Sequence, residues 1–235
     1  MRVRLVYSKR GGACFVPHIA LAQIVARSAL RAGFMPEMTQ GFSPRARLSF
    51  APELPAGVVA LNEVVDMYFS DNTAGTISPP KNADSVNVSL SGNHSGTGYH
   101  DKIAEAVDDF SPYVFVDAMN AALPEGFRIS RVLFPAEDSP SLGKSCKHAE
   151  YLIRNTHGVD FLDMAKNFYG SALLKAEHLD NWSRLIIHQP AQFPIGGFIK
   201  HMIAQNIITG WHQVNIVRVS IGIYHQQKDC VSINA

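Results

Sequence analysis

The sequence predicts an α+β protein built from two successive βαββαβ units, and three observations carry the prediction. Apolar residues alternate with period two in a series of short segments, as half-buried strands require. Stretches of helical period separate those segments. The order strand, helix, strand, strand, helix, strand then runs once over residues 1–134 and again over 149–235, joined by a proline- and serine-containing stretch near 135–148. The repeat is one of order, because the halves share no residue-level similarity. A chain of 235 residues has room for two domains of this size.

Residues 2–8 alternate Val3, Leu5 and Tyr7 against Arg2, Arg4 and Ser8, which predicts a strand with one face on a core. Pro17 opens a helix to about Ala32, and Gly33 ends it. Leu21, Ile24, Val25, Ser28 and Ala32 make its core face. Ile19, Ala26 and Leu30 lie opposite, so the helix needs cover on more than one side. A short segment at Met35–Thr39 leads to the turn Gln40–Pro44, followed by a strand over Arg45–Ala51. A break at Pro52–Gly57 precedes another strand over Glu63–Phe69. Gly, Pro, Ser, Thr and Asn supply 18 of the 30 residues from 71 to 100, which predicts a mobile insertion. Helical period returns at 101–109 and at Tyr113–Ala122, Leu123–Gly126 stops it, and Arg128–Phe134 is a strand. In the second half the expected strands are Glu150–Asn155, Ala172–Ala176, Arg184–His188 and Val214–Tyr224. The expected helices are Asp160–Phe168, with Asp160 as N-cap, and Ile195–Asn206.

Composition excludes several classes. With 46% hydrophobic and 17% charged residues and a mean hydropathy of zero, the chain is neither disordered nor fibrous. No apolar window reaches the ~18 residues of a membrane span, and no signal-peptide pattern follows the first charges, so a cytoplasmic location is expected. Cys14, Cys146 and Cys230 are too few and too far apart for a disulfide framework. They also lack the close spacing that an iron–sulfur cluster needs. Ten histidines form no HExxH and no one-turn pair, and no Walker loop or GxGxxG is present, so neither a metal nor a cofactor is expected. The net charge of +1 hides an asymmetry. Residues 1–50 carry eight Lys or Arg against one acid, and residues 51–110 carry nine acids against two lysines.

The opening RVRLVYSK, the Pro17-His18 helix start, ARSALRAGFMP, QGFSPRARLSFAPELPAG and EVVDMYF together resemble the radical-SAM-linked domain of unknown function. MNAALPEGF (119–127) and IVRVSIG (216–222) match more weakly, so the resemblance covers most of residues 1–134. It implies association with a radical SAM protein and with RNA. This sequence departs from the family pattern at two places. Val16-Pro17-His18-Ile19-Ala20 keeps the histidine of a Ser-His-Leu-Asp motif without its serine and carboxylate. Ser43-Pro44-Arg45-Ala46 replaces a second, histidine-containing turn. With the cysteine spacing seen here, any radical chemistry belongs to another chain.

Two sets of residues could carry chemistry. His18, in the first helical turn beside Lys9-Arg10-Gly11-Gly12, could act as a general base or bind a phosphate; a structural histidine is the competing reading. Arg2 and Arg4 share the polar face of one strand, and Arg45 and Arg47 that of another. With Arg10, and with Phe42 and Tyr68 as stacking groups, they would form an RNA-binding surface on the sheet face left open by the helices of a ferredoxin-like domain. The competing reading pairs these arginines with Glu63 and Asp66. The expected function is therefore an accessory or binding protein for a radical SAM partner. A metal-independent RNA-processing endoribonuclease using His18 is the alternative, because tandem ferredoxin-like domains also occur in such enzymes of CRISPR systems. A third reading is a structural protein whose helix 17–32 binds another chain.

Overall fold

Strand β1 (Arg2–Lys9), helix α1 (His18–Arg31) and strands β2 (Leu48–Phe50) and β3 (Val59–Tyr68) open the chain, followed by α2 (Pro112–Ala122) and β4 (Phe127–Leu133). A four-residue helix, α3 (Leu142–Ser145), lies in the linker. Then come β5 (His148–Asn155), α4 (Leu162–Tyr169), β6 (Leu173–Leu179), β7 (Trp182–His188), α5 (Ile195–Ala204), β8 (Val214–His225) and β9 (Cys230–Ser232). The computed structural model describes residues 1–70, 112–156 and 158–233; the expected insertion 71–100 and the expected helix 101–109 lie outside them.

The result is a mixed α/β fold around a mostly antiparallel sheet of nine strands. Seven follow the path β4-β1-β3-β8-β5-β7-β6, with β2 added on β3 and β9 on β8. Among the described residues, β3 and β8 are the only strands paired in parallel, at Val59↔Val217 and Ala60↔Arg218. That short contact joins the halves into one sheet.

Two apolar clusters flank it. Leu21, Val25 and Ala29 of α1 and Phe115, Val116 and Met119 of α2 pack on Val3, Leu5, Val65 and Met67. The second cluster holds Ile195, Phe198 and Met202 of α5 with Tyr151, Ile153, Leu185 and Ile187. It also takes in Val6, Ala60, Val64 and Leu133 from the first half, and Leu142 from the linker. The expectation of a half-buried first strand is corrected here: Val3 through Tyr7 are all buried, because the linker and the second half cover the face that α1 and α2 leave.

Several element boundaries also differ from expectation. The strand expected at Arg45–Ala51 shrinks to Leu48–Phe50, and Arg45 and Arg47 lie on an extended segment before it, which bridges back at Met38↔Ala46. Strand β3 begins four residues before the expected start, since its first residues pair with β8. Asp160 acts at the start of α4 as expected, its carboxylate accepting the Leu162 N–H at 2.9 Å, although Phe161 is the residue at the cap itself.

Three buried ion pairs tie the strands together. Arg4 grips Asp66 through two bonds of 2.8 and 3.1 Å, with both residues buried. Arg184 Nε donates to Glu150 at 2.7 Å. Arg218 and Glu63, one from each half, form a bidentate pair, with Nε to Oε1 at 2.6 Å. Removing one member of such a pair leaves the other charge buried alone. Glu63→Ala is therefore expected to cost about 3–5 kcal/mol in urea denaturation, while the apolar double variant Glu63→Leu/Arg218→Met recovers most of it. A loss under about 1 kcal/mol for Glu63→Ala would show that the pair contributes little to holding the halves.

Candidate nucleic-acid interface

Cross-strand register decides which of the expected residues meet. Arg2 pairs with Tyr68 and Arg4 with Asp66 across β1 and β3. Ser49 of β2 pairs with Asp66, and the Tyr68 N–H donates to the Arg47 carbonyl. Arg2, Tyr68 and Arg47 thus form one row on the sheet face opposite α1 and α2, with Arg4 in the row below.

Their surroundings differ sharply. The Arg2 guanidinium donates to the carbonyls of Ala136 (3.1 Å) and Ser139 (3.0 Å), so it holds the linker down. Arg4 is 1% exposed and committed to Asp66. These two arginines therefore follow the pairing and packing reading. Arg47 remains at the surface. Its guanidinium lies 4.4 Å from the Tyr68 ring centroid and bonds Glu37 at 2.9 Å, with the side chain 52% exposed. Such a stack is worth about 0.5–1 kcal/mol at an exposed site. Thr39 and Arg45 close the adjoining turn: the Thr39 N–H donates to the Arg45 carbonyl at 2.7 Å, and the Arg45 N–H to Thr39 Oγ1 at 3.1 Å. Phe42 sits at its tip, fully exposed, and Arg45 is exposed beside it. Phe42, Arg45, Arg47 and Tyr68 are thus brought to one edge, while Arg10 lies at the other end of β1, about 26 Å away at roughly 3.3 Å per residue.

His18 is separate from both ends. It begins α1 and packs edge-on against Phe50, ring centroids 5.4 Å apart. Among the described residues it has no hydrogen bond or ion pair. Ile19 (85% exposed) and Phe15 (71%) lie beside it, so nothing among the described residues covers the second apolar face of α1.

Residues 2–92 match the model of a family described as an uncharacterized protein conserved in bacteria (DUF2344). The matched stretch includes β1, α1, β2 and β3, and with them every residue of the interface edge. No curated protein matches the chain. The family's description names no activity and no radical SAM protein.

One concave feature among the described residues escaped the sequence reading. A cleft of about 1090 Å³ lies between the linker and the second half, with Lys144, Lys147, His188 and Gln189 among its lining residues. Gln189 has φ +49°, a left-handed backbone that costs a non-glycine residue energy. Cys146 also lines the cleft, but burial pushes its thiol up to about 12, which keeps it protonated and unreactive. No sequence pattern marks this place, because its residues come from six separate segments. Among the described residues, no cluster of His, Cys, Asp and Glu is arranged to hold a metal.

Next to the cleft, His148 stacks on His188 at 5.0 Å, and its Nδ1 accepts the Tyr224 N–H at 3.0 Å. Burial, then the neighbouring His188 and Lys147, lower its pKa from the ordinary 6.5. The fold thus favours the neutral ring, whose Nδ1 can accept. The unfolded chain binds the proton first as pH falls, so stability is complete above about 6.5 and declines below it. Denaturant unfolding between pH 8 and 5 is expected to show this decline, and His148→Gln to flatten it. An unchanged slope in the variant would assign the dependence to other groups.

Proposed function

We propose that this chain is an accessory protein that holds RNA for a radical SAM partner in the cytoplasm, without a reaction of its own. The observation that carries the reading is Arg47 stacked over Tyr68, with Arg45 and Phe42 exposed beside it. That pairing of cations with aromatic faces is the means by which single-stranded RNA is held, phosphates on arginine and bases on rings. Arg2 and Arg4 support this surface from below, by fixing the linker and Asp66. The radical SAM partner is proposed on the GFSPRARLSFAPELPAG resemblance alone. On the fold side, we read each half as a ferredoxin-like unit. The orders β4-β1-β3-β2 and β8-β5-β7-β6 support that reading, being the same strand order in each half.

The endoribonuclease reading gains no support from the surroundings of His18. A general base acts through a positioned partner or substrate hydroxyl, and the ring here packs on Phe50 with no side-chain hydrogen bond or ion pair among the described residues.

Binding of a fluorescent single-stranded RNA across a salt series tests the proposal. Arg45→Glu/Arg47→Glu is expected to weaken binding and to lower the salt slope by about 1 per lost phosphate contact. Tyr68→Leu is expected to cost about 1–3 kcal/mol if a base stacks there. Wild-type protein without salt-sensitive RNA binding would end the reading. Metal-independent RNA cleavage that vanishes in a folded His18→Ala variant would replace it with the nuclease.

A further inference from the structure

The far end of the first-half sheet carries a second basic feature. A groove of about 620 Å³ is lined there by Ser8, Arg10, Asn62, Arg128 and Ser130, among others. Register places Arg131 on the same face. Ser8 pairs with Arg128 and Val6 with Arg131, and residues 6 and 8 of β1 point the same way. A bulge in β4 makes this possible, since the register shifts between Val6 and Tyr7 and puts Ser130, which lines the groove, and Arg131, beside it, on one face.

The charges of this groove are unbalanced. Among the described residues, none of the three arginine side chains makes an ion pair or hydrogen bond, in contrast to Arg4, Arg184 and Arg218. Arg10 and Arg128 are exposed and Arg131 is partly covered. Burial lowers the Arg131 pKa, and no carboxylate among the described residues counters that effect. A guanidinium that is partly desolvated without a counter-ion is less stable than one meeting an anion. The two serine hydroxyls are only loosely held, at 3.5 Å to the Arg128 carbonyl and 3.3 Å to that of Val6, and can turn to a ligand.

The backbone at this end is fixed in advance. The Arg10 N–H donates to the Gly126 carbonyl at 2.8 Å. Gly126 has φ +87°, and a Cβ there would overlap the Arg10 carbonyl oxygen and lie 2.8 Å from Ala13 Cβ. Only glycine lets the loop carrying Arg10 close onto the start of β4. The Asn62 amide donates to the Val219 carbonyl at 2.8 Å, which anchors the floor to β8.

We propose that this groove binds a phosphate group through Arg10, Arg128 and Arg131, with Ser8 and Ser130 as further donors. Three guanidiniums and two hydroxyls exceed what one carboxylate can accept, and they suit a group with three acceptor oxygens and up to two charges. The phosphate belongs either to a small molecule or to an RNA chain. The site stands apart from the Tyr68 edge and does not depend on the function proposed for it.

Calorimetric titration of the full chain with adenosine 5′-diphosphate and, separately, with a short oligouridylate tests the assignment. Arg128→Glu changes an exposed side chain, and Arg131→Gln removes a partly buried charge, so both variants are expected to fold; Arg47→Glu is the control at the other edge. Each groove variant is expected to weaken binding about tenfold or more. Diphosphate binding that responds to the groove variants and not to Arg47→Glu identifies a small-molecule phosphate. A response seen only with the oligonucleotide identifies an RNA phosphate. Failure of both probes to bind, or binding that Arg128→Glu and Arg131→Gln leave intact, overturns the proposal.

Discussion

The buried pair of Glu63 and Arg218 is the interaction on which the rest of the architecture depends. One partner comes from β3 in the first half and the other from β8 near the end of the chain, 155 residues apart. Burial works against the Arg218 charge, but the Glu63 carboxylate and Tyr151 together outweigh it, and the Arg218 pKa is raised. A further bond from Arg218 to the Pro52 carbonyl at 3.0 Å fixes the segment leading into β3. The Asn62–Val219 bond lies beside the pair. Together these contacts seal a parallel junction only two residue pairs long, which backbone bonds alone would hold weakly.

Closing that junction decides what the sheet can offer a ligand. With the halves joined, the middle of the first-half sheet is covered on both sides, and Val6, Val64 and Leu133 enter the core shared with the second half. The linker lies over Arg2 and Arg4, and Asp66 neutralises Arg4. A continuous basic face is therefore replaced by two separated basic ends. At one, Arg47 is stacked and Arg45 is exposed; at the other, Arg10 and Arg128 line a groove with no carboxylate among its described lining residues, and Arg131 lies on the same face.

Much of the order of elements was legible in the sequence, because alternation and helical period are local signals. The strand at Arg2–Lys9 and the helix at His18–Arg31 fall within a residue or two of expectation. The sequence could not show that both faces of β1 would be buried, since Arg2 and Arg4 read as solvent-facing until a partner carboxylate and a covering linker are placed. Strand β9 and helix α3 were missed because three or four residues carry no period. For the candidate site, the charge asymmetry of residues 1–50 drew attention to the first half, where Arg10, Arg45 and Arg47 are exposed. It could not separate arginines held in structure from those left exposed, nor foresee Arg128 and Arg131, which join Arg10 only through the pairing of β1 with β4.

Native-state hydrogen exchange under rising denaturant tests most directly whether the Glu63–Arg218 junction makes the halves one unit. Amides of Val6 in β1, Val64 in β3, Tyr151 in β5 and Ile187 in β7 should converge on one opening free energy with one denaturant dependence. Persistent protection of Tyr151 and Ile187 after Val6 and Val64 have exchanged would show two independently stable halves, and would contradict the account.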